Sequence, residues 1–557
     1  MKGNSQNELE TISAIPEAAS NVIVSRQAFY KQLNLELFKK NFGSLPLVAI
    51  IFAAIIIRIV AAGESQGYVH PDEVFQSIEM VHFRIFGKFG NGQTIPWEYD
   101  LDHPYGGARS WFFVFILVAI YKFFMLFGIT NPLTLIFIAR LFLSLSSIIT
   151  VLVSYFFGKE MFNKTVGLLS AFLCGVWWFF PFWASRTMTD SLSSDFLFMS
   201  IFLAYKVLKS KDSYKRKFIL SLLSGFFVGL AFMIRFPTAL MGFPLLVFFL
   251  FVAIKEIIDR RKKKISDKQI VSKFLLFTPA IGFTLGSFFM VLVQGIFDML
   301  TWGSFLHSPI NFFLYNIVEG YSALHGTSPW YSYFTGFYTN FAEYFLPIFL
   351  MFFIIGLSYK EKTKSKIMIG SIIVFWLLVF SILAHKEFRF IMVILPLCFL
   401  FIANGIYKVV IMFRKKKYQV ISLASILLIF VTASSVMAFI EKDWMWKFNS
   451  GICNAMYWVG QQDKVDTVIA FEMVWYTGGY VYLDRNVTCF FSRINTSLPP
   501  EYTYNNTYFL NLYSQKGTFV IILQYHYHLV EPVVTEYNMS LLANVYGIPN
   551  AYVFGHL

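Results

Sequence analysis

Residues 45–62 read LPLVAIIFAAIIIRIVAA, and residues 68–73, which follow after a short gap, read YVHPDE. The first stretch is long and apolar enough to cross a bilayer as one helix. The second places His70, Asp72 and Glu73 where that helix would emerge into water. Ionisable residues are costly at this depth and tend to mark functional sites. Together the two stretches predict a membrane protein with a polar site at the end of its first helix.

The composition of the whole chain supports several membrane spans. Of its 557 residues, 57% are hydrophobic, 20% are aromatic and only 14% are charged. Because lipid offers the backbone no hydrogen-bond partner, apolar runs that cross it should be helices. We therefore expect a multi-span α-helical membrane protein with about 11–13 transmembrane helices. The candidate spans are Leu45–Ala62, Trp111–Phe127, Leu133–Phe157, Gly167–Trp183, Leu192–Leu208, Phe218–Ile234, Ala239–Ile254, Phe274–Ile296, Tyr344–Leu357, Ile367–Leu383, Ile391–Tyr407 and Val420–Ile440.

The basic residues indicate the orientation of the chain. The net charge of +14 is concentrated in short loops between apolar runs, which is typical of cytoplasmic loops and argues against nucleic-acid binding. We expect a cytosolic tail at 1–44 and an outside location after Ile440, which requires an odd number of crossings. The twelve candidate runs conflict with this. We therefore expect a half-helix, two fused runs or a missed break between residues 111 and 208. The basic clusters lie at 209–217, 255–268, 360–366 and 414–417.

The first predicted outside loop covers residues 63–110. Within it, Val74–Phe89 carries apolar residues at nearly helical spacing. This spacing predicts an amphipathic helix along the membrane surface, with packing on the protein itself as the alternative.

Residues 441–557 differ from the preceding part of the chain. Their apolar runs shorten to strand length at Val465–Phe471, Tyr480–Leu483 and Phe519–Leu523. We predict a small lumenal α/β domain that follows a transmembrane domain at 45–440. Several glycosylation sequons support the lumenal placement. They lie at Asn486, Asn495, Asn505 and Asn538.

The cysteines permit one disulfide. Cys453 and Cys489 lie in the C-terminal region, where a disulfide is possible if the region is lumenal. Two cysteines give no spacing pattern to check, so two unpaired thiols remain the alternative.

Polar residues at the outer ends of the predicted spans define a candidate site. Arginine and lysine side chains can hold a phosphate, and a neighbouring carboxylate can accept a proton from a hydroxyl. Such a set predicts sugar transfer from a lipid phosphate, and a single carboxylate base implies inversion at the anomeric carbon. The residues are His70, Asp72, Glu73, Trp97, Glu98, Arg109, Arg186, Asp190, Arg235, Asp298, His307, Asn316, His325, His385, Lys386, Glu387 and Arg389.

Some of these residues also have ordinary structural interpretations. Asp72 could cap the helix that begins near Val74, and Arg235 could extend to the membrane interface. Residues 385–389 could form a solvated turn with an internal ion pair. Asp100-Leu101-Asp102 matches a metal-binding pattern that is frequent by chance, and we expect no metal.

The chain resembles family 22 of the GT-C glycosyltransferases over roughly residues 45–410. The matching motifs keep the order and spacing of that family. They are His70-Pro71-Asp72-Glu73, Phe75-Gln76, Trp97-Glu98, Arg109-Ser110, Phe297-Asp298, Trp302-Gly303, Asn311–Asn316, His325–Phe334 and His385–Phe390.

The resemblance implies a mannosyltransferase of the endoplasmic reticulum membrane with dolichyl-phosphate-mannose as donor and a lipid-linked glycan as acceptor. It implies Asp72 as the catalytic base and Glu73 as its supporting partner, without a cofactor. The branch that builds the GPI anchor is closest, and the branch that builds the N-glycan precursor is the alternative. The expected contacts to the donor phosphate or substrate are His70, Arg109, Arg235, His325, Trp330, His385, Lys386 and Arg389.

Two further classes of protein remain as alternatives. A transporter or scramblase would place its charges near the bilayer midplane and often show inverted repeats, whereas here the charges gather at one interface. A structural subunit of a glycosylation complex would tolerate Asp72→Asn. The expected partners are membrane lipids, the lipid-linked donor and the glycolipid acceptor. The oligomeric state stays open.

Overall fold

The computed structural model describes residues 45–90, 95–209, 213–262, 275–358, 362–471, 474–491 and 511–556. By its internal contacts the chain divides into two units, Met1–Phe52 and Ala53–Leu557. The described part of the first unit is the beginning of the first helix, and every other element described below belongs to the second. The predicted tail at 1–44 and the sequons at Asn495 and Asn505 lie outside the described residues.

Membrane-spanning helices dominate the part of the chain that the structure describes. Ten helices there are long and apolar enough to cross a membrane, which makes the chain a multi-pass membrane protein. Two shorter apolar helices, Phe112–Met125 and Lys164–Val176, occupy the two other predicted spans. Both lie between residues 111 and 208, where the count of crossings was inconsistent. The long helices are Leu45–Glu64, Pro132–Met161, Thr189–Lys209, Tyr214–Ile234, Phe236–Ile258, Thr278–Trp302, Ser332–Ser358, Thr363–Ile382, Ile394–Ile411 and Lys416–Glu441.

Local sequence fixes several helix ends. Asn131 and Asn163 cap the helices that follow them, because each accepts from the backbone N–H group three residues further on. The helix Tyr214–Ile234 ends before Arg235, which is extended, and Pro237 lies in the next short turn. This turn separates the predicted spans Phe218–Ile234 and Ala239–Ile254.

The segment after Asp72 is helical, as its spacing predicts, and much of it packs on the protein. It forms a π-helical turn, Val74–Ile78, followed by the α-helix Glu79–Phe86. Val74 and Ile78 pack with residues of the C-terminal sheet region, whereas Met80 and Val81 pack with the spanning helices. Protein therefore covers two apolar sides of this segment. This agrees with the alternative interpretation, in which the segment packs on the protein itself.

The described residues of the C-terminal region, 442–556, contain a five-stranded sheet. Its strands are β1 (Thr467–Ala470), β2 (Thr488–Phe491), β3 (Thr518–Leu523), β4 (Ser540–Val545) and β5 (Ala551–Gly555). Their order in the sheet is β2-β1-β3-β5-β4. β1 pairs in parallel with β2 and β3, whereas β5 is antiparallel to β3 and β4. Strand β3 is buried along its whole length, as a central strand requires.

Helices cover both faces of this sheet. The helix Ser450–Gly460 contributes to one buried cluster with β3, and the helix Tyr527–Glu536 contributes to the other. The apolar run Tyr480–Leu483, which was expected to be a strand, belongs to a short buried helix, Gly479–Leu483. A run this short carries no periodicity that separates a buried strand from a buried helix.

A buried carboxylate in the loop predicted at 63–110 contacts the sheet region. Glu79 accepts from the backbone N–H groups of Tyr480 and Val481, at 3.2 and 2.8 Å. These N–H groups lie in the first turn of the helix Gly479–Leu483, where no partner exists within the helix. Near this contact, His82 Nε2 lies 3.3 Å from Asp484 Oδ1.

The possible disulfide is not formed, because all four cysteines of the chain are free thiols. Cys453 and Cys489 are both buried, but they face different surroundings. The Cys453 thiol contacts the Tyr482 side chain, whereas Cys489 lies near Glu79.

Candidate active site

The loop that leads to Asp72 is fixed by backbone contacts with the start of the sheet region. The amides of Gln66 and Tyr68 donate to the carbonyls of Trp446 and Phe448, at 2.7 and 2.9 Å. Gly67 adopts a φ of +55°, and a Cβ atom on it would meet the Phe448 carbonyl at 2.1 Å. Only glycine permits this approach of the two backbones.

Two buried arginines hold the same loop from the helical side. Arg140 donates to two of its carbonyls. Arg186 donates to the carbonyls of Gln66 and Met445, at 3.2 and 2.6 Å. The segment that carries Asp72 is therefore held between the spanning helices and the sheet region.

Glu73 is fully buried, and its contacts orient the turn around Asp72. Its Oε1 accepts from the amides of Val69 and His70, at 2.7 and 3.1 Å. Its Oε2 lies 3.7 Å from Arg186, and its carbonyl accepts from the Thr187 hydroxyl at 2.7 Å. Glu73 does not line the cavity into which Asp72 points. The geometry thus gives it the position of a supporting residue.

The Asp72 carboxylate points into the site and does not cap the following helix. The amides of Val74 and Phe75 donate to the Pro71 carbonyl, whereas Asp72 Oδ2 lies 2.9 Å from Arg389 and 3.3 Å from His70. Burial acts to raise the pKa of Asp72, but the charges of His70 and Arg389 outweigh it and hold this pKa well below its ordinary value. Asp72 is therefore ionised at neutral pH.

Arg389 connects carboxylates from three segments of the chain. It forms ion pairs with Glu387 at 2.5 Å, with Asp72 at 2.9 Å and with Asp190 at 3.4 Å. Asp190 also pairs with Arg235 at 3.0 Å. Arg235 is thus held in the site by an ion pair, and residues 385–389 are not a solvated turn.

One histidine contacts the Glu387 carboxylate, and a second histidine packs near the first. His385 Nε2 lies 2.9 Å from Glu387 Oε1, and its Nδ1 lies 3.0 Å from the Gly326 carbonyl. The hydrogen bond to Glu387 is the main reason why the pKa of His385 is raised. His325 packs near His385, with ring centroids 6.3 Å apart, and burial lowers its pKa.

A cavity brings together the residues that the sequence placed far apart. The Asp72 carboxylate shares it with three guanidinium groups, those of Arg109, Arg235 and Arg389. These opposite charges line one cavity near the ends of the spanning helices. The full lining is Asp72, Gln76, Ser77, Tyr99, Arg109, Ser110, Phe113, Met188, Thr189, Ile234, Arg235, Phe236 and Arg389.

Arg109 differs from the other two arginines in its partners. Within the described residues, no carboxylate forms an ion pair with it, and its buried Nε has no hydrogen-bond partner. Its guanidinium packs over the Phe312 ring at 5.9 Å. Arg109 is therefore the cavity-lining cation whose charge is not neutralised by a direct ion pair.

Glu98, one of the polar residues of the predicted site, is a second carboxyl group beside the cavity. Gln76, which lines the cavity, donates from Nε2 to Glu98 Oε1 at 2.7 Å. Burial raises the pKa of Glu98 to about 7, opposed by the charge of Arg109 and reinforced by that of Asp72. The contact between Glu98 and Gln76 is a feature that the sequence did not predict.

Other predicted residues lie outside the cavity. Trp330 is 67% exposed, and the Lys386 ammonium donates to the Ser328 carbonyl at 2.7 Å. The buried Asp298 accepts from the amide and hydroxyl of Ser308, at 3.0 and 2.8 Å, which is a structural role. Asp190, which was among the polar residues at the outer span ends, joins the ion pairs around Arg389.

The architecture is that of a GT-C type glycosyltransferase. The chain superposes on ArnT from Cupriavidus metallidurans, solved with bound undecaprenyl phosphate, with a TM-score of 0.59 at 12% identity, covering 92% of this chain and 98% of that one. The apo oligosaccharyltransferase from Archaeoglobus fulgidus gives a TM-score of 0.51 at 13% identity, covering 90% and 72%. At these identities the likeness concerns the fold.

The chain belongs to the Alg9-like mannosyltransferase family, whose model matches residues 49–483. This confirms the family resemblance expected from the motifs. Mannosyltransferase APTG1 of Arabidopsis thaliana is 29% identical over 357 residues, which is 63% of this chain and 57% of that protein. GPI alpha-1,2-mannosyltransferase 3 of Homo sapiens is 29% identical over 358 residues, which is 64% and 56%. The chain thus matches little more than half the length of these relatives.

Proposed function

We propose that this protein transfers mannose from dolichyl-phosphate-mannose to a lipid-linked glycan of the GPI-anchor precursor. The family and the names of the relatives support the sugar and the acceptor. The observation that carries the proposal is the cavity in which an ionised Asp72 lies beside three arginines. A base and a set of phosphate-binding cations at one membrane interface are what this reaction needs.

In the proposed reaction, an oxygen of Asp72 takes the proton of the acceptor hydroxyl. The hydroxyl oxygen forms a bond to the anomeric carbon of mannose, and the bond from that carbon to the donor phosphate oxygen breaks. The electron pair leaves with the phosphate, and attack from the opposite face inverts the configuration. Since its pKa is depressed, Asp72 takes the proton late, when the attacking hydroxyl has become acidic. The reaction needs no cofactor.

We assign the first contact of the donor phosphate to Arg109. Arg389 already holds three carboxylates, and a phosphate would have to displace them to form a bidentate contact. Arg109 has no such partner among the described residues, and its planar guanidinium suits phosphate recognition. Arg235 and Arg389 contribute their charge from the same cavity wall.

The proposed location is the endoplasmic reticulum membrane, with the N-terminus cytosolic and the sheet region lumenal. The basic loops support this orientation, as do the sequons at Asn486 and Asn538, whose side chains are exposed. The donor and acceptor are then membrane lipids that reach the cavity from the bilayer.

A second candidate is mannosyl transfer to the lipid-linked N-glycan precursor. A probable Dol-P-Man:Man(7)GlcNAc(2)-PP-Dol alpha-1,6-mannosyltransferase of Schizosaccharomyces pombe is 35% identical, but over only 101 residues, or 18% of this chain. The longer matches to GPI mannosyltransferases favour the first candidate, and a transporter is not favoured.

The test is an assay of the purified chain with dolichyl-phosphate-mannose and a panel of lipid-linked acceptors, followed by linkage analysis. Asp72→Asn should lower turnover by roughly 100-fold or more, while the exposed Asp102→Asn in the same loop leaves it unchanged. Turnover close to that of the unmodified chain in Asp72→Asn would remove Asp72 as the base. If none of the acceptors is mannosylated, the proposed function is overturned.

A further inference from the structure

We propose that Gln76 is a second hydroxyl-binding group of the cavity, held in orientation by Glu98, and that it accepts from the acceptor-sugar hydroxyl next to the attacking one. The inference rests on the proposed function and adds a substrate contact to it. Gln76 follows Asp72 by one helical turn, and both side chains line the same cavity.

The position of Gln76 is fixed from two sides. The Tyr99 hydroxyl donates to its backbone carbonyl at 3.1 Å, and its side-chain Nε2 donates to Glu98 Oε1 at 2.7 Å. Tyr99 and Glu98 belong to the same short turn, Trp97–Tyr99. This turn therefore positions both the backbone and the amide group of Gln76.

The carboxylate of Glu98 determines which end of the amide faces the cavity. An ionised carboxylate accepts hydrogen bonds and does not donate them, so the NH₂ end of Gln76 must point to Glu98. The carbonyl oxygen of the amide then remains available to a hydroxyl group. Asp72 and Gln76 thus present two acceptor oxygens about one helical turn apart, a spacing that suits neighbouring hydroxyls of one sugar ring.

The orientation depends on the protonation state of Glu98. Burial raises its pKa to about 7, so the ionised form predominates above that pH and is lost as the pH falls. A protonated Glu98 can donate as well as accept, and the amide of Gln76 is then free to turn its NH₂ end to the cavity. The groups that act on Glu98 are Arg109, Asp72, Tyr99 and Tyr315.

Glu98 is therefore a positioning residue, because it acts through Gln76 and does not line the cavity itself. The protonation of Glu98 should produce a pH dependence of the acceptor KM that a purely structural residue would not produce. The KM for the acceptor should rise as the pH falls through about 7, whereas the KM for the donor should not follow it. Replacement of Glu98 by glutamine should remove this pH dependence.

The test is the mannosyl-transfer assay on the whole chain with its best acceptor. It compares the unmodified chain with Gln76→Leu, with Glu98→Gln and with the double variant. Loss of one hydrogen bond predicts a rise of roughly three- to tenfold in the acceptor KM for each single variant. The double variant should show no more than the effect of Gln76→Leu, because both changes act on one carbonyl oxygen. Matched controls are the exposed Gln461→Leu and Glu536→Gln, which should leave both KM values unchanged.

The outcomes separate the two proposals. If the unmodified chain transfers mannose and Gln76→Leu leaves the acceptor KM unchanged, this inference is overturned and the proposed function stands. Additive effects in the double variant overturn the role of Glu98. Absence of transfer by the unmodified chain overturns the proposed function and this contact together. If Glu98→Gln does not fold, the pH dependence of the acceptor KM in the unmodified chain decides, and a flat profile contradicts the positioning role.

Discussion

At the scale of single residues, Arg389 and Arg109 have opposite surroundings although they line one cavity. Arg389 neutralises Asp72, Asp190 and Glu387, whereas Arg109 pairs with no carboxylate of the described residues. Sequence motifs placed both near the donor phosphate, because a motif shows which charges are present and not how they pair. Arg389 therefore stabilises the site, whereas Arg109 is available to a ligand.

This contrast predicts different defects for the two arginines. Arg389→Ala leaves three carboxylates without their shared cation and should destabilise the protein by roughly 3–5 kcal/mol. Arg109→Ala should fold normally and raise the donor KM by roughly ten- to 100-fold. The measurements are thermal unfolding in detergent and donor kinetics.

Arg109→Lys is the matched control, since it keeps the charge and loses the planar fork, and it should recover part of the donor affinity. A stable Arg389→Ala variant with a raised donor KM would reverse the two assignments.

At the scale of elements, the least predictable feature is how the segment after Asp72 packs. Its apolar residues suggested a helix on the membrane, but the turn Val74–Ile78 contributes to one buried cluster and the helix Glu79–Phe86 to another. The buried Glu79 supports the helix Gly479–Leu483 across a long sequence separation. Helical periodicity reveals that a segment has an apolar side, but it does not distinguish lipid from protein as the cover.

The contact at Glu79 predicts an effect on the sheet region. Glu79→Ala leaves two buried N–H groups without a partner and should lower the free energy of unfolding by roughly 1–3 kcal/mol. Limited proteolysis of the full-length chain should then cut more readily between residues 442 and 556. Glu536→Gln, an exposed change in the same region, should not alter the cleavage. Equal resistance of Glu79→Ala and the unmodified chain would show that this contact does not hold the region in place.

At the scale of the whole molecule, the spans were well predicted because apolar length is a strong signal. All twelve predicted runs correspond to apolar helices, ten of them of spanning length. The central strands β1 and β3 were also visible as apolar runs, whereas the pairing order of the sheet was not. Asp72, Arg235 and Arg389 were identified from their positions at span ends. Glu98 was also among these polar residues and Gln76 was visible as a motif residue, but their pairing depends on tertiary packing and was not predicted.

The proposed orientation makes a prediction about modification. Asn538 is exposed and follows the helix Tyr527–Glu536, so a lumenal sheet region should carry a glycan there in a eukaryotic host. Site-specific mass spectrometry and the mobility change of Asn538→Gln test this directly. If Asn486 and Asn538 carry no glycan in cells where the chain is active, the result would argue against a lumenal sheet region.

The separation of Asp72 and Arg389 along the chain has a consequence for biosynthesis. They lie 317 positions apart, so a ribosome completes most of the polypeptide before the arginine partner of this acid exists. Until then the growing chain must keep the acidic loop hydrated outside the bilayer, because a carboxylate without that partner is costly in lipid. The charge cluster thus assembles at a late step of translation, and a prematurely terminated product that lacks the final third cannot form it.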